Sequence, residues 1–521
     1  MKKFNEVNEK IGKYRWTICA LLFVATTMNY TDRQVLALLK GTLEVEFNWT
    51  DSDYADITAA FQFTYAFAML FAGRFIDWLG TKLGYAWALV VWTFAGIGHA
   101  LATGKLSFMA LRAALGVGEA GGFPAAIKAT AEYFPKKERA LATGIFNSGT
   151  NIGAIITPLI VPWILDADWG SWQLVFILVA GTNLPWLIFW FWLYDVPSKQ
   201  KRLSKKEYEY ILSDNEPETQ PATVPGAPKV KWYKEWGKLL TYKQTWSFAS
   251  GKFLTDGVWW FFLFWLPAYL KAVYGMTGKE IMLPIAVVYT MTCFGSVGGG
   301  AFPMYFIRKG YEPYAGRMRA MIIIAFFPLV VLLAQPLGGI SYWLPVILIG
   351  IGASAHQAWS ANIFTTVSDM FPKKTVASVT GIGGMAGGLG GILINKIGGW
   401  LFDAYRATGI ADFWGKVKGT DLAGLAETVK NSEVMNRHGQ VINLNLRELG
   451  DLPKEAIAQL QSGSGFSMEQ ITQLIAYQKE IVQSHMSTSY AIMFGFCAVA
   501  YLIAWTVIKT LVPKYKPIAE Y

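Results

Sequence analysis

The chain has 521 residues, 53% of them hydrophobic and 15% aromatic, with only 16% charged. Soluble domains carry about 25% charged residues, so this composition excludes an ordinary soluble domain and fits a polytopic membrane protein. The net charge of +10 does not require a nucleic-acid partner, because cytoplasmic loops of membrane proteins are enriched in Lys and Arg.

Residues 1–15 are polar and the apolar run behind them is too long for a secretory h-region, so no cleavable leader is expected. Apolar segments follow near 16–40, 52–75, 84–103, 105–129, 139–163 and 172–194, then near 246–273, 281–307, 317–335, 341–366, 376–402 and 487–511. A bilayer core of ~30 Å takes about 20 helical residues. The pattern therefore predicts an all-α fold of twelve transmembrane helices in two sets of six. The divisions fall as a bundle over 1–194, a linker over 195–245, spans seven to eleven over 246–402, an insertion over 403–486, and the last span with its tail over 487–521.

The first span holds a polar pentad, Asn29-Tyr30-Thr31-Asp32-Arg33, between apolar flanks. An Asp or an Arg at that depth costs ~2.5–3.5 kcal/mol on insertion scales, and intramembrane charges are functional candidates by default. Two readings stand: a mutually neutralised structural pair, or an Arg33 that attracts an anion beside an Asp32 that carries a proton.

Loop charge sets the orientation. Lys10 and Lys13 precede the first span, Lys136, Lys137 and Arg139 follow the fourth, Lys373 and Lys374 the tenth, and Lys514 and Lys516 the last, whereas Glu44, Glu46, Asp51 and Asp53 lie in an alternate loop. Both termini are expected in the cytoplasm. The linker is rich in Lys and Pro, with one helical stretch over 204–212. The insertion is then extracytoplasmic and longer than an ordinary connection. Helices are expected in it over 421–430 and 454–461, and from Ser467-Met468-Glu469-Gln470, which has capping-box spacing.

An internal repeat relates the halves. Phe134-Pro135-Lys136-Lys137, Ala140 and Thr143-Gly144-Ile145 recur as Phe371-Pro372-Lys373-Lys374, Ala377 and Thr380-Gly381-Ile382, always 237 positions apart. Parallel six-span halves around a midplane site are a known transporter construction. The same offset sets His356 opposite Glu119, which leaves His356 as a pocket residue or a helix–helix hydrogen bond. Arg112 lies seven residues before Glu119, two turns away on the same face. Asp32, Arg33, Arg112 and Glu119 thus form a balanced cluster, and an anion arriving at an Arg would release an acid to take a proton.

Gln62 and Tyr65 in the second span, Asn147 and Asn151 in the fifth, and Gln357, Ser360 and Asn362 in the tenth are further candidates. Asn and Gln suit sugar hydroxyls because each offers donor and acceptor, and they serve equally as interhelical contacts. Trp259, Trp260 and Trp265 are pocket rings or interface anchors. Gly116, Gly118, Gly121 and Gly122, with the glycine run over 381–391, allow close helix approach. No strand–loop–helix nucleotide motif, nucleophile–base set or metal-ligand spacing appears; Cys19, Cys293 and Cys497 lie in apolar stretches.

Gly73-Arg74-Phe75-Ile76-Asp77-Trp78-Leu79-Gly80-Thr81-Lys82 resembles the loop motif of the major facilitator superfamily. The resemblance implies a conformational latch made by Gly73, Asp77, Gly80 and Lys82; its second-half counterpart has Pro303 where the Asp is expected. The pentad with Arg112 and Glu119 is similar to the anion:cation symporter family. Phe146-Asn147-Ser148-Gly149-Thr150-Asn151, Asp256-Gly257-Val258-Trp259-Trp260-Phe261 and His356-Gln357-Ala358-Trp359-Ser360-Ala361-Asn362 look like its hexuronate branch. That likeness implies proton-coupled import of glucuronate- or galacturonate-like acids, with Asp32 and Glu119 as proton-linked acids and Arg33 and Tyr65 at the substrate. Related sugar-acid carriers have a Gln where this chain has Thr150-Asn151, and a short loop where it has the insertion.

The expectation is a bacterial inner-membrane symporter, not an enzyme, working as a monomer with a sugar-acid anion, protons and lipid as partners. The energy source is a proton gradient, with no cofactor and no metal. The substrate set is Tyr30, Arg33, Tyr65, Arg112, Asn147, Asn151, His356, Gln357, Ser360 and Asn362. Carriers of aldonates, aldarates or other organic anions are the alternative, and a transporter-like sensor is a further one.

Overall fold

The computed structural model describes residues 11–134, 136–213, 237–371, 373–435, 441–442, 444, 447–452, 454–464, 466–516 and 518. Twelve helical spans run in the order the apolar segments predict. The first six are Tyr14–Phe47, Asp51–Leu79, Thr81–Gly98, the pair Lys105–Ala120 and Gly122–Tyr133, Lys136–Leu165, and the pair Trp172–Gly181 and Asn183–Leu193. The second six are Lys243–Tyr274, Met282–Arg308, Pro313–Phe326 continued to Gly338, Trp343–Met370, Lys373–Lys416 and Met468–Leu511.

Among the described residues, eight helices are apolar and long enough to cross a membrane by length and composition alone. The first, fourth, tenth and eleventh spans fall outside that set. The first and fourth carry Asp32, Arg33, Lys40, Arg112 and Glu119, the tenth His356 and Asn362, and the eleventh its glycines. Those charged and polar side chains are all buried. Polar groups at membrane depth are tolerated where protein, rather than lipid, surrounds them.

The repeat has a structural counterpart. The fourth span ends where Phe134 turns extended and donates its N–H to the Thr130 carbonyl at 2.9 Å, and the tenth ends where Phe371 does the same to Val367 at 2.9 Å. Both partners keep the offset of the sequence repeat, so the two spans are equivalent.

Close helix approach sets the position of the polar pentad. Gly149 and Gly153, one turn apart on the fifth span, face the backbone of the first. A Cβ at Gly153 would lie 2.4 Å from the Thr27 carbonyl oxygen and 3.1 Å from the Thr31 nitrogen. Hydrogen at these positions lets the two backbones touch, the small-residue packing of membrane helices.

The linker is docked where it is described. Ser204 caps the helix Lys205–Leu212, whose Glu207 carboxylate accepts from the Tyr14 N–H at 3.2 Å and the Arg15 N–H at 3.0 Å. Glu207 thereby satisfies the free amides that open the first span. Residues 214–236, with the linker prolines, lie outside the described set.

The insertion departs from the expected boundaries. Positions 403 and 486 fall inside unbroken helices, because the eleventh and twelfth spans are each 44 residues long, about 66 Å at 1.5 Å per residue. Ser467 forms the expected capping box, yet its helix runs on to Leu511 because no Pro or Gly interrupts residues 468–494. The two extensions, with helices Ala423–Lys430 and Lys454–Ser464 and a short antiparallel pairing of Val434 with Ile442, enclose a small core of Ile410, Phe413, Val429, Leu449, Leu460 and Leu474.

Replacing Gly153 with Leu is expected to force the first and fifth spans apart and cost about 1–3 kcal/mol, the usual effect of overpacking. Thermal unfolding of the purified protein reads this directly. An unchanged melting curve in Gly153→Leu would mean the two backbones do not meet there.

Candidate functional site

Arg33 and Glu119 form a buried ion pair between the first and fourth spans, Nε donating to Oε2. Around the guanidinium stand four rings: Tyr65 at 4.5 Å from Cζ, Tyr30 at 4.7 Å, Phe61 at 5.4 Å and Trp260 at 5.7 Å. The first three come from the first half and Trp260 from the second. Ring faces attract a cation without neutralising it, so the cage holds Arg33 in place while leaving its charge to be answered by a carboxylate.

A cavity of about 50 Å³ opens beside this pair, with Asn29, Tyr30, Arg33, Tyr65, Glu119, Asn147 and Thr150 among its walls. That is room for a few waters, below the ~300–1,000 Å³ of small-ligand sites; a larger solute would require the halves to part. Glu119 Oε1 and Asn29 Nδ2 are buried here with no hydrogen-bond partner among the described residues. Buried polar atoms are rarely left so, and these two mark where a ligand or water would bind.

Asp32 and Arg33 are not a neutralising pair. Adjacent helical residues point about 100° apart, and Asp32 instead accepts from Asn183 Nδ2 of the sixth span at 2.9 Å. Arg112 is buried as expected, but Glu119 pairs with Arg33 rather than with it. The ~10 Å rise between Arg112 and Glu119 explains the choice, since the first span brings Arg33 closer. Arg112 Nε and Nη2 have no partner among the described residues.

Of the other substrate candidates, Tyr30, Tyr65 and Asn147 line the cavity. Asn151 turns away and accepts from Thr292 of the eighth span at 3.2 Å. His356 shares a hydrogen bond with the Tyr501 hydroxyl at 2.8 Å and stacks on Trp259. Asn362 donates to the carbonyls of Gly299 and Ala358, each at 2.8 Å. These three make helix–helix contacts in this conformation. Gln357 and Ser360 are half-buried and outside the cavity lining.

Trp259, Trp260 and Trp265 are all buried, which removes the interface-anchor reading for them. Trp260 joins the Arg33 cage, and Trp265 donates to Asn395 Oδ1 at 2.7 Å. Asn395 in turn donates to Gln62 Oε1 at 3.0 Å, across the two halves.

The latch residues stay within one half as far as they are described. Gly80 takes φ +79° at the turn, a conformation that favours glycine, and Lys82 pairs with Asp195 at 3.4 Å. Gly73 faces open space. The Asp77 side chain lies outside the described residues.

A second intramembrane ion pair was missed in the sequence. Lys252 Nζ lies 2.7 Å from Asp256 Oδ2 on the seventh span, both buried or nearly so. Lys252, Asp256 and Trp260 are spaced by four and so share a helix face, which carries the column from the second half towards Arg33. The signal was present as two ionisable residues one turn apart in an apolar segment. Asn183 was missed for a different reason: nothing local tells it from any other polar residue near a helix break.

The sequence pattern described as Major Facilitator Superfamily matches residues 22–394. The hexuronate transporter of Escherichia coli strain K12 is 33% identical over 397 residues, 76% of this chain and 89% of that one. The galacturonate transporter of Dickeya chrysanthemi is 34% identical over 297 residues, 57% of this chain and 84% of that one. Among solved structures, a bacterial homologue of the human lysosomal transporter Spinster, inward-facing and unoccupied, is similar with a TM-score of 0.64 at 17% identity, over 96% of this chain and 99% of that one. The pattern ends at residue 394, inside the eleventh span, so the insertion lies beyond it. Twelve helical spans among the described residues, matching fourth and tenth spans, a buried charge cluster in the first half that meets Trp260 of the second, and these matches lead to one conclusion: the chain belongs to the Major Facilitator Superfamily of transporters and is not an enzyme.

Proposed function

We propose that the protein imports sugar acids, hexuronates such as glucuronate or galacturonate, in symport with protons. It does so across the bacterial inner membrane with both termini on the cytoplasmic side. The substrate class is supported by relatives that carry hexuronate and galacturonate in their names and by a cationic, aromatic site suited to a carboxylate with a sugar body. The orientation is supported by the Lys and Arg content of the loops at the terminal face.

The observation that carries the mechanism is the Arg33–Glu119 pair at the cavity wall. A substrate carboxylate on Arg33 competes with Glu119 for one guanidinium. Once displaced, Glu119 is a buried carboxylate without its cation, and burial then favours its protonated form. Anion and proton therefore load together, and the pair re-forms only when both leave. Asp32, next to Arg33 in the chain and held by Asn183, is the second acid of the cluster.

Hydroxyl recognition falls to Asn147 and Thr150 on one side and to the Lys252–Asp256 column on the other. An ammonium beside a carboxylate offers donor and acceptor together, which suits vicinal hydroxyls. The halves then rock about this site.

In proteoliposomes, accumulation of labelled glucuronate is expected only with an inward proton gradient, with galacturonate competing better than galactonate or glucarate. Arg33→Ala is expected to abolish uptake, whereas Glu119→Gln is expected to keep exchange of internal for external substrate while losing accumulation. Equal loss of both modes in Glu119→Gln would count against its coupling role. The double change Lys252→Gln with Asp256→Asn is expected to raise KM by about tenfold or more, the loss of one or two hydrogen bonds to charged groups. An unaltered KM would assign that pair to helix packing.

A further inference from the structure

A cavity of about 470 Å³ lies beneath the insertion, at the face where the first span ends. Its volume is in the range of small-ligand sites, ~300–1,000 Å³. Its walls include Lys40, Lys271, Arg406 and Lys479, with the carboxylates Glu44 and Asp166 from the bundle and Glu448 and Asp451 supplied by the insertion.

The charges are paired in a revealing way. Lys40 Nζ meets Asp51 Oδ1 at 2.6 Å and also pairs with Glu44, so these three belong to the bundle itself. Arg406, on the extension of the eleventh span, pairs with Asp51 at 3.1 Å and with Glu448. Lys271 of the seventh span pairs with Asp451 at 2.8 Å. The insertion thus contributes two carboxylates, one to Lys271 of the bundle and one to Arg406 on the extension of the eleventh span. They sit either side of one turn, Leu449–Asp451, and that turn is fixed: Gln478 accepts from the Leu449 N–H at 2.6 Å and donates to the Arg447 carbonyl at 3.2 Å. Lys479, on the same wall, makes no ion pair among the described residues.

We propose that this cavity is a vestibular binding site for the sugar-acid carboxylate, and that Glu448 and Asp451 are built-in stand-ins for it. The proposal rests on the sugar-acid reading above. An arriving carboxylate takes Arg406 and Lys271 by the charge-assisted hydrogen bonds the insertion's acids now make, and Lys479 supplies attraction that no internal acid answers. Burial pushes the Glu448 carboxyl above the usual carboxylate range, while Asp451, despite its burial, is held below it by Lys271. The insertion also reaches the first half, Arg447 donating to Asn48 Oδ1 at 2.6 Å. Loading the vestibule would loosen a contact that ties the halves together at this face.

The test is glucuronate binding to the purified full-length protein in nanodiscs, on an Arg33→Ala background that removes the central site. Weak saturable binding is expected to remain. Adding Glu448→Gln with Asp451→Asn is expected to tighten it by roughly three- to tenfold, and adding Lys271→Gln is expected to undo the gain. Glu427→Gln, an exposed charge elsewhere on the insertion, is expected to leave binding unchanged, which separates a site from a net-charge effect. Melting curves of each variant exclude unfolding as the cause. No saturable binding in the Arg33→Ala, Glu448→Gln, Asp451→Asn protein, or a gain that survives Lys271→Gln, would overturn the proposal. If unmodified protein neither binds nor carries any sugar acid, the central reading fails instead.

Discussion

A guanidinium and a carboxylate held inside the membrane organise this protein. Each would cost ~2.5–3.5 kcal/mol at the centre of a lone helix, and together they are tolerable only in one geometry. The first span must approach the fifth closely enough for Gly149 and Gly153 to touch its backbone, so that Arg33 lies level with Glu119 of the fourth. The rings of Tyr30, Phe61 and Tyr65 stand close to the cation, and Trp260 joins them from the other half. Because the cage includes a residue of each half, any change at the pair is felt by the surface along which the halves move.

The contacts between halves cluster on the side of that pair away from the termini. Tyr54 donates to the Phe264 carbonyl at 2.9 Å, and Asp403 accepts from the Asp51 and Ser52 amides at 2.7 and 2.8 Å. Lys279 meets Asp166 at 3.3 Å, and Asn395 bridges Trp265 and Gln62. Exposed ion pairs among these are individually weak, whereas the amides of a helix start that find a fixed carboxylate are firmly held. The insertion adds Arg447, bonded to Asn48, and Arg406, paired with Asp51, to the same seam. A seam of many modest polar bonds closes firmly yet remains breakable one bond at a time, as alternating access requires.

Span count, the equivalence of the fourth and tenth spans, and the Arg33–Glu119 cluster were legible because their signals are local or periodic: apolar length, a repeated turn, charges in apolar runs. Partner choice was not. Arg112 and Glu119 share a face on one helix, and only the packing of a different helix reveals that Glu119 goes to Arg33. The same limit left His356 and Asn362 open between pocket and helix contact, since their partners Tyr501 and Gly299 lie 145 and 63 positions away. The insertion was readable as helical but not as an extension of two spans, since a helix that leaves the bilayer changes composition without changing period. Lys252 and Asp256 were legible in principle, by the rule that flagged Asp32, and were passed over in a stretch dense with aromatic residues.

Coupling through the Arg33–Glu119 pair requires the anion and the proton to bind as one event. The direct measurement is proton uptake by purified protein in weakly buffered solution, read with a pH dye as glucuronate is added. Displacement of Glu119 from Arg33 predicts uptake of about one proton per bound anion, and weaker binding as pH rises. Saturable binding of glucuronate with no proton taken up would contradict it, and would leave the buried pair as a structural brace rather than the coupling device.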